Sequence, residues 1–271
     1  MFYLSGNDFP QNAPELAAAL LQPLHELFTF SREESAVVRV NGGQYPDVNQ
    51  LRIDLSGASL KARQPPPKPA GVGQSRAGLH ASALEVLGHP VRVQEAPIHF
   101  DVTATDVRFA YDRNEEGRPL LLLTAAEAGQ AKVEIGRGDL EALLLAQASA
   151  AAAKQGVSIE KVKLTLAPLD TRSVAVAVRA TAKKLFARAD LEVKGRLTVD
   201  ERLNARVSAL SCHGDGIVGG LAGNLIRPYL ERFNNTELPL TGMSLGNVRL
   251  HDLRLDVTDS LKVEAAFGSS T

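Results

Sequence analysis

The chain has 271 residues, with 30 basic and 31 acidic side chains, a net charge of −1, 5% aromatic residues and no Trp. That length supports one large domain or two small ones, with a sizeable core. The near-zero charge excludes a global field that would steer the protein to nucleic acid or to an anionic membrane, and the single cysteine, Cys212, excludes an intrachain disulfide and a cysteine-based metal centre.

No run approaches the roughly 18 apolar residues of a spanning helix. The opening MFYLSGNDFPQ has neither the basic nor the apolar region of a secretory signal. The expectation is a cytoplasmic or peripheral-membrane protein, or one of the cell envelope if an export signal has been removed.

In chain order, Pro14–Phe28 reads as a helix capped by Asn12, with Pro23 inside it as a bend or break. Ala36–Val40 is a strand, Asn41-Gly42-Gly43 a turn, and Val48–Leu60 a second strand with Leu51, Ile53 and Leu55 on one face. Residues 64–78, QPPPKPAGVGQSRAG, read as an exposed Pro/Gly-rich loop, with a proline ligand for a partner's aromatic groove as the alternative. Strands follow at Leu79–Leu87, Val91–Ala96, Ile98–Tyr111 and Leu120–Thr124, the last after a turn at Asn114–Gly117. Lys132–Ile135 leads into a helix from Asp139, its expected cap, to Gln155, closed by Gly156. Leu140, Leu143, Leu144 and Ala148 share one side of that helix. Ser158–Ala167, Arg172–Ala182 and Ala187–Val199 read as three more strands, with Val174, Val176 and Val178 in strict alternation.

The last quarter organises the rest. Leu203, Ala205, Val207 and Ala209 alternate as a strand. A Gly-rich break then precedes an apolar helix over Ile217–Asn234, with Leu221, Leu225, Tyr229 and Phe233 on its stripe. Val248 and Leu250, then Leu253, Leu255 and Val257 after a one-residue phase shift, close the sheet. The pattern is α+β, mostly antiparallel meander. It predicts a highly curved sheet wrapped around one or two long bent helices in a single elongated domain over 1–271, with 1–30 as an N-terminal helical extension.

Three motifs tempt towards chemistry. Gly214-Asp-Gly216-Ile-Val-Gly219 matches a dinucleotide fingerprint by letter, but the strands before it form a meander rather than the parallel unit that the fingerprint requires. Gly242-Met-Ser244-Leu-Gly246 spells a nucleophile elbow, yet a strand pattern follows the serine where the elbow needs a helix. The six histidines show neither HxxxH nor HxH spacing, so no metal site is expected. In these surroundings none of the three is expected to carry catalysis or to hold a cofactor or metal.

The run from Leu197 to Gly268 resembles the C-terminal half of the LmeA-like phospholipid-binding family. The resemblance rests on the strand, glycine, helix, Leu238-Pro239 frame, the Asp-Val-Thr-Asp at 256–259 and the final apolar strand; VEIGRGDLEALL (133–144) and Val48–Leu60 extend it upstream. Such proteins are similar to the tubular lipid-binding (TULIP) superfamily. The resemblance implies a bent helix lying in a curved sheet, acyl chains in the seam between them and no catalytic residues. The expected ligand is a phospholipid or fatty acyl chain, lined by Leu140, Leu143, Leu144, Leu221, Leu225, Tyr229 and Phe233, though for any one of them alone ordinary core is the better reading. Lys183, Lys184 and Arg188, flanking a turn at Leu185-Phe186, are candidates for headgroup or membrane contact, or for an ordinary solvated turn. The alternative is a structural or protein-interaction module of the same fold with a filled core.

Overall fold

The computed structural model describes residues 2–61, 73, 75–153, 156–184, 187–215, 231, 234–240 and 248–269. Among them, sixteen strands and two α-helices run in the order β1 (Phe2–Tyr3), α1 (Ala13–Leu27), β2 (Phe28–Thr29), β3 (Val38–Asn41), β4 (Asp47–Asp54), β5 (Ser59–Leu60), β6 (Arg76–Val93), β7 (Ala96–Arg113), β8 (Pro119–Ala125), β9 (Ala128–Gly136), α2 (Arg137–Ala153), β10 (Ser158–Asp170), β11 (Ser173–Lys184), β12 (Ala187–Val199), β13 (Asn204–Gly214), β14 (Thr236–Pro239), β15 (Val248–Val257) and β16 (Ser260–Ser269). The strands form one sheet in the order β15-β16-β9-β7-β6-β4-β3, with short strands at its margins, and a second in the order β10-β11-β12-β13-β14. The chain divides into two compact units, 1–134 with 243–252 and 264–271, and 135–242 with 253–263.

In the first unit, α1 begins where the sequence places it. Asn12 Oδ1 accepts from the Glu15 backbone N–H at 2.9 Å, and the Glu15 carboxylate returns to the Gln11 N–H at 2.8 Å, a reciprocal closure of the first turn. Pro23 does not break the helix. It has no N–H to offer the Ala19 carbonyl four residues back, and that carbonyl instead accepts from the Ser5 N–H at 2.9 Å. Leu16, Leu20 and Leu24, one face of α1, are buried against Leu51 and Ile53 of β4, Leu79 of β6, Val107 of β7 and Leu121 of β8. Asp112, buried at 2% exposure, is satisfied by the Ser75 hydroxyl at 2.9 Å and the Arg113 N–H at 2.7 Å.

Several expectations change here. Val48–Leu60 is two strands, interrupted at Ser56-Gly57, where Gly57 has φ +78°. Both β4 and β5 run parallel to β6 (Leu51 opposite Leu84, Ser59 opposite Arg92), so this part of the sheet is not a meander. The expected loop 64–78 lies mostly outside the described residues, but Arg76–Gly78 already belongs to β6. Gly88-His89-Pro90 does not end a strand: β6 passes through it with a register shift against β7, and the turn comes at Gln94-Glu95.

In the second unit, α2 starts at Arg137, two residues before Asp139, which sits in the first turn rather than at the cap. There its carboxylate favours the helix dipole without capping it. The five-stranded sheet is an antiparallel meander with one apolar and one charged face. Leu164 stands opposite Val178, and Val178 opposite Val193, while Lys163, Arg179 and Glu192 form the matching charged row. β13 departs from strict alternation. A register shift between Lys194 and Arg196 leaves Ala209 at φ +52° and brings Leu210 against Gly195, where an added Cβ would sit 2.7 Å from Leu210 Cδ2. Ala209 is therefore exposed, and Leu210 and Cys212 continue the apolar face. The phase shift expected in the next strand is present: Val248 is buried, Asp252 and Leu253 are both half-buried, and Leu255 and Val257 are buried.

Candidate functional site

Leu140, Leu143 and Leu144 all lie on α2, which packs along β10, the edge strand of the second sheet. All three are half-buried, and no residue of α2 is fully buried. The helix also blocks the open edge: Glu141 Oε1 accepts from the Leu164 N–H at 2.7 Å, pairing a donor that has no neighbouring strand among the described residues. A run of alanines from Ala150 to Ala153 forms its C-terminal end.

The apolar face of that sheet is unevenly covered. At one end Val174 is buried with Leu255 and Val257, and Leu166, Val176, Leu197, Leu253, Leu261 and Val263 pack around them. At the other end Val162, Ala182, Ala189 and Leu191 are buried, as is Leu164 beside Val178, and between the two ends Val176, Val178, Val193 and Cys212 remain half-buried. At the β13–β14 margin, Val207 is 37% exposed and Leu238 is 53% exposed. Single exposed apolar residues need no explanation, but a contiguous patch does. Leu238 lies opposite Ala205 and Val207 opposite Leu197, which makes these positions neighbours on one surface.

The remaining apolar site residues, Leu221, Leu225, Tyr229 and Phe233, lie outside the described residues, as does the expected helix 217–234 except for Glu231 and Asn234. The Ser244 motif also lies outside them, as do most of the glycine motif and Leu185-Phe186 at the basic turn. Lys183 and Lys184 end β11, Lys183 is exposed, and the Lys184 side chain is outside the described set. Arg188 is engaged rather than free, its guanidinium bound to the Glu160 carboxylate. Arg179, next along the same face, binds Glu192 through Nε at 2.7 Å.

Sequence reading missed two polar clefts. One, of about 300 Å³ in the first unit, is lined by His89, His99, Asp101, Lys132 and Glu134. His89 Nε2 lies 2.6 Å from Asp101 Oδ1 there, but no group of three His, Cys, Asp or Glu side chains among the described residues forms a metal site. The other, of about 560 Å³, covers the charged face of the five-stranded sheet and is lined by Lys161, Lys163, Arg179, Thr181, Asp190, Glu192, His213 and Asp215, with Ala180 and Leu191. Glu192 is held below the usual carboxylate range, first by the Lys194 ammonium and then by Arg179. Part of the signal was present in the alternation: Lys161 and Lys163 flank Val162, Arg179 follows Val178, and Asp190 and Glu192 flank Leu191.

The described residues thus define an α+β protein of two mainly antiparallel sheets and two helices. Among them, no helix is long and apolar enough to cross a membrane. Compared with known proteins, no family model, no curated protein and no solved structure matches this chain.

Proposed function

We propose that the chain is a non-catalytic binder of a phospholipid or another long apolar ligand, of the LmeA-like and TULIP-like kind, acting as a carrier or sensor. The observation that supports this reading is the incomplete cover on the apolar face of the five-stranded sheet. That face is closed at both ends, by Val174 at one and by Val162, Ala182, Ala189 and Leu191 at the other, half-exposed through Val176, Val178 and Val193 between them, and open at Val207 and Leu238. An acyl chain laid along it would gain about 0.8 kcal/mol per buried methylene, so ten methylenes supply roughly 8 kcal/mol before the cost of ordering the chain and the side chains around it. Leu140, Leu143 and Leu144 on α2, with Leu221, Leu225, Tyr229 and Phe233 of the helix expected over 217–234, are the proposed lining. Lys183, Lys184 and Arg188 are the proposed contacts for a headgroup or a membrane surface.

The test is displacement of a fluorescent fatty acid from the wild-type chain and from Val178→Asp, which places a carboxylate in the middle of the face. Saturable binding that falls at least tenfold in the variant supports the reading, and binding unaffected by the substitution refutes this location. The well-packed cluster around Val174 and Leu255 favours a second reading, a protein-interaction module whose apolar face is filled by its own side chains. In that case neither protein takes up the probe, and a partner is retained through a segment such as 64–78. Pull-down with and without those residues then tests the assignment.

A further inference from the structure

On the charged face of the five-stranded sheet, the charges that line the cleft are sorted by strand. Two rows cross it. One runs Lys163, Arg179, Glu192, His213 in direct register, and the other runs Lys161, Thr181, Asp190, with Asp215 joined to Asp190 by a backbone hydrogen bond of 3.0 Å. The cations of the cleft therefore stand on β10 and β11, and its carboxylates on β12 and just beyond β13. Three cations against three carboxylates give no net attraction for a simple anion or cation. Separated by strand, they form a dipolar floor.

The middle of each row is already fixed. Arg179 donates through Nε to Glu192 Oε1 at 2.7 Å, and Lys194 donates to Glu192 Oε2 at 2.8 Å, so both oxygens of that carboxylate are engaged. This holds the guanidinium by one edge and leaves its terminal nitrogens for another acceptor. Thr181 Oγ1 donates to Asp190 Oδ1 at 2.6 Å and orients that carboxylate in turn. Lys161 and Lys163, two apart on one face of β10, are exposed and have no ion pair among the described residues.

We propose that this cleft binds a zwitterionic aminoalkyl phosphate, with the phosphate on Lys161, Lys163 and Arg179 and the ammonium on Asp190 and Asp215. Arg179 on β11 and Asp190 on β12 stand on neighbouring strands, about 4.8 Å apart, the reach of a two-carbon linker between phosphate and amine, with Lys161 and Lys163 one strand further out on β10. The remaining volume admits a larger substituent on the phosphate, so the ligand is either a free phosphoamine or the headgroup of a zwitterionic phospholipid. The proposal does not depend on the apolar-ligand reading, because it uses the opposite face of the sheet.

Calorimetric titration of the full chain with O-phosphoethanolamine, inorganic phosphate and ethanolamine tests it. The expected result is phosphoethanolamine binding at least tenfold tighter than either half alone. Lys161→Ala with Lys163→Ala should weaken it at least tenfold, and Asp190→Asn with Asp215→Asn should remove its advantage over inorganic phosphate. Equal affinity for inorganic phosphate, or no binding of phosphoethanolamine, overturns the proposal on the wild-type chain alone, whatever the variants do. Full affinity in the double-lysine variant overturns it too. Phosphatidylethanolamine vesicles separate the two sources: retention that needs the two lysines assigns the headgroup, and loss of retention beside intact binding of the free compound assigns a soluble ligand.

Discussion

Asp54 closes β4 and is held strongly in its charged form. Burial alone would raise its pKa, but hydrogen bonds from Ser56 and the Arg32 guanidinium outweigh that and hold it at about 2, from an ordinary 3.8. Its Oδ1 accepts from the Ser56 N–H at 3.0 Å and lies 3.0 Å from Arg32, while Arg52 stands 3.5 Å from Oδ2. A drop of that size corresponds to roughly 2 kcal/mol at about 1.4 kcal/mol per pH unit, and screening at a partly exposed side chain brings the expectation to about 1–2 kcal/mol. The sign follows from the direction. A folded-state pKa below the unfolded one stabilises the protein above pH ~4 and loses that contribution as pH falls towards 2. Asp54→Asn should therefore lower stability by about 1–2 kcal/mol at pH 7, and the gap from wild type should close between pH ~4 and ~2. Urea unfolding of both proteins across that range reads it directly. Equal stability at pH 7, or a gap that persists unchanged to pH 2, refutes the assignment.

Two further perturbations test the local arguments. Asn12→Ala removes the acceptor for the Glu15 N–H and should cost about 1 kcal/mol, measured by urea midpoint, with Asn12→Asp close to wild type. Glu141→Ala leaves the Leu164 N–H without its protein acceptor and opens the β10 edge. It should lower stability by about 1 kcal/mol and increase self-association in light scattering, whereas Glu141→Gln retains an acceptor and should do neither.

Much of the strand pattern was legible because burial follows local alternation. Leu51, Ile53 and Leu55 are all buried as their spacing requires, and the phase change between Leu250 and Leu253 is visible as two adjacent half-buried residues. The cap at Asn12 was equally local. What escaped was non-local. No short-range pattern marks β4 and β5 as parallel to β6, because the partner is set by a connection through residues 61–75. Gly88-His89-Pro90 carries the composition of a turn, yet pairing with β7 on both sides of it keeps β6 one strand. The charged cleft escaped for another reason: reading the strands for their apolar residues leaves the opposite face unexamined, and its order appears only once the register places Arg179 between Lys163 and Glu192.

The central claim is that the half-open apolar face takes up an alkyl chain. Native mass spectrometry of the purified chain, before and after incubation with phospholipid, is its most direct measurement. The account predicts a mass increment equal to one or a few phospholipids that is lost in Val178→Asp. A spectrum of bare protein that stays bare at saturating lipid contradicts it.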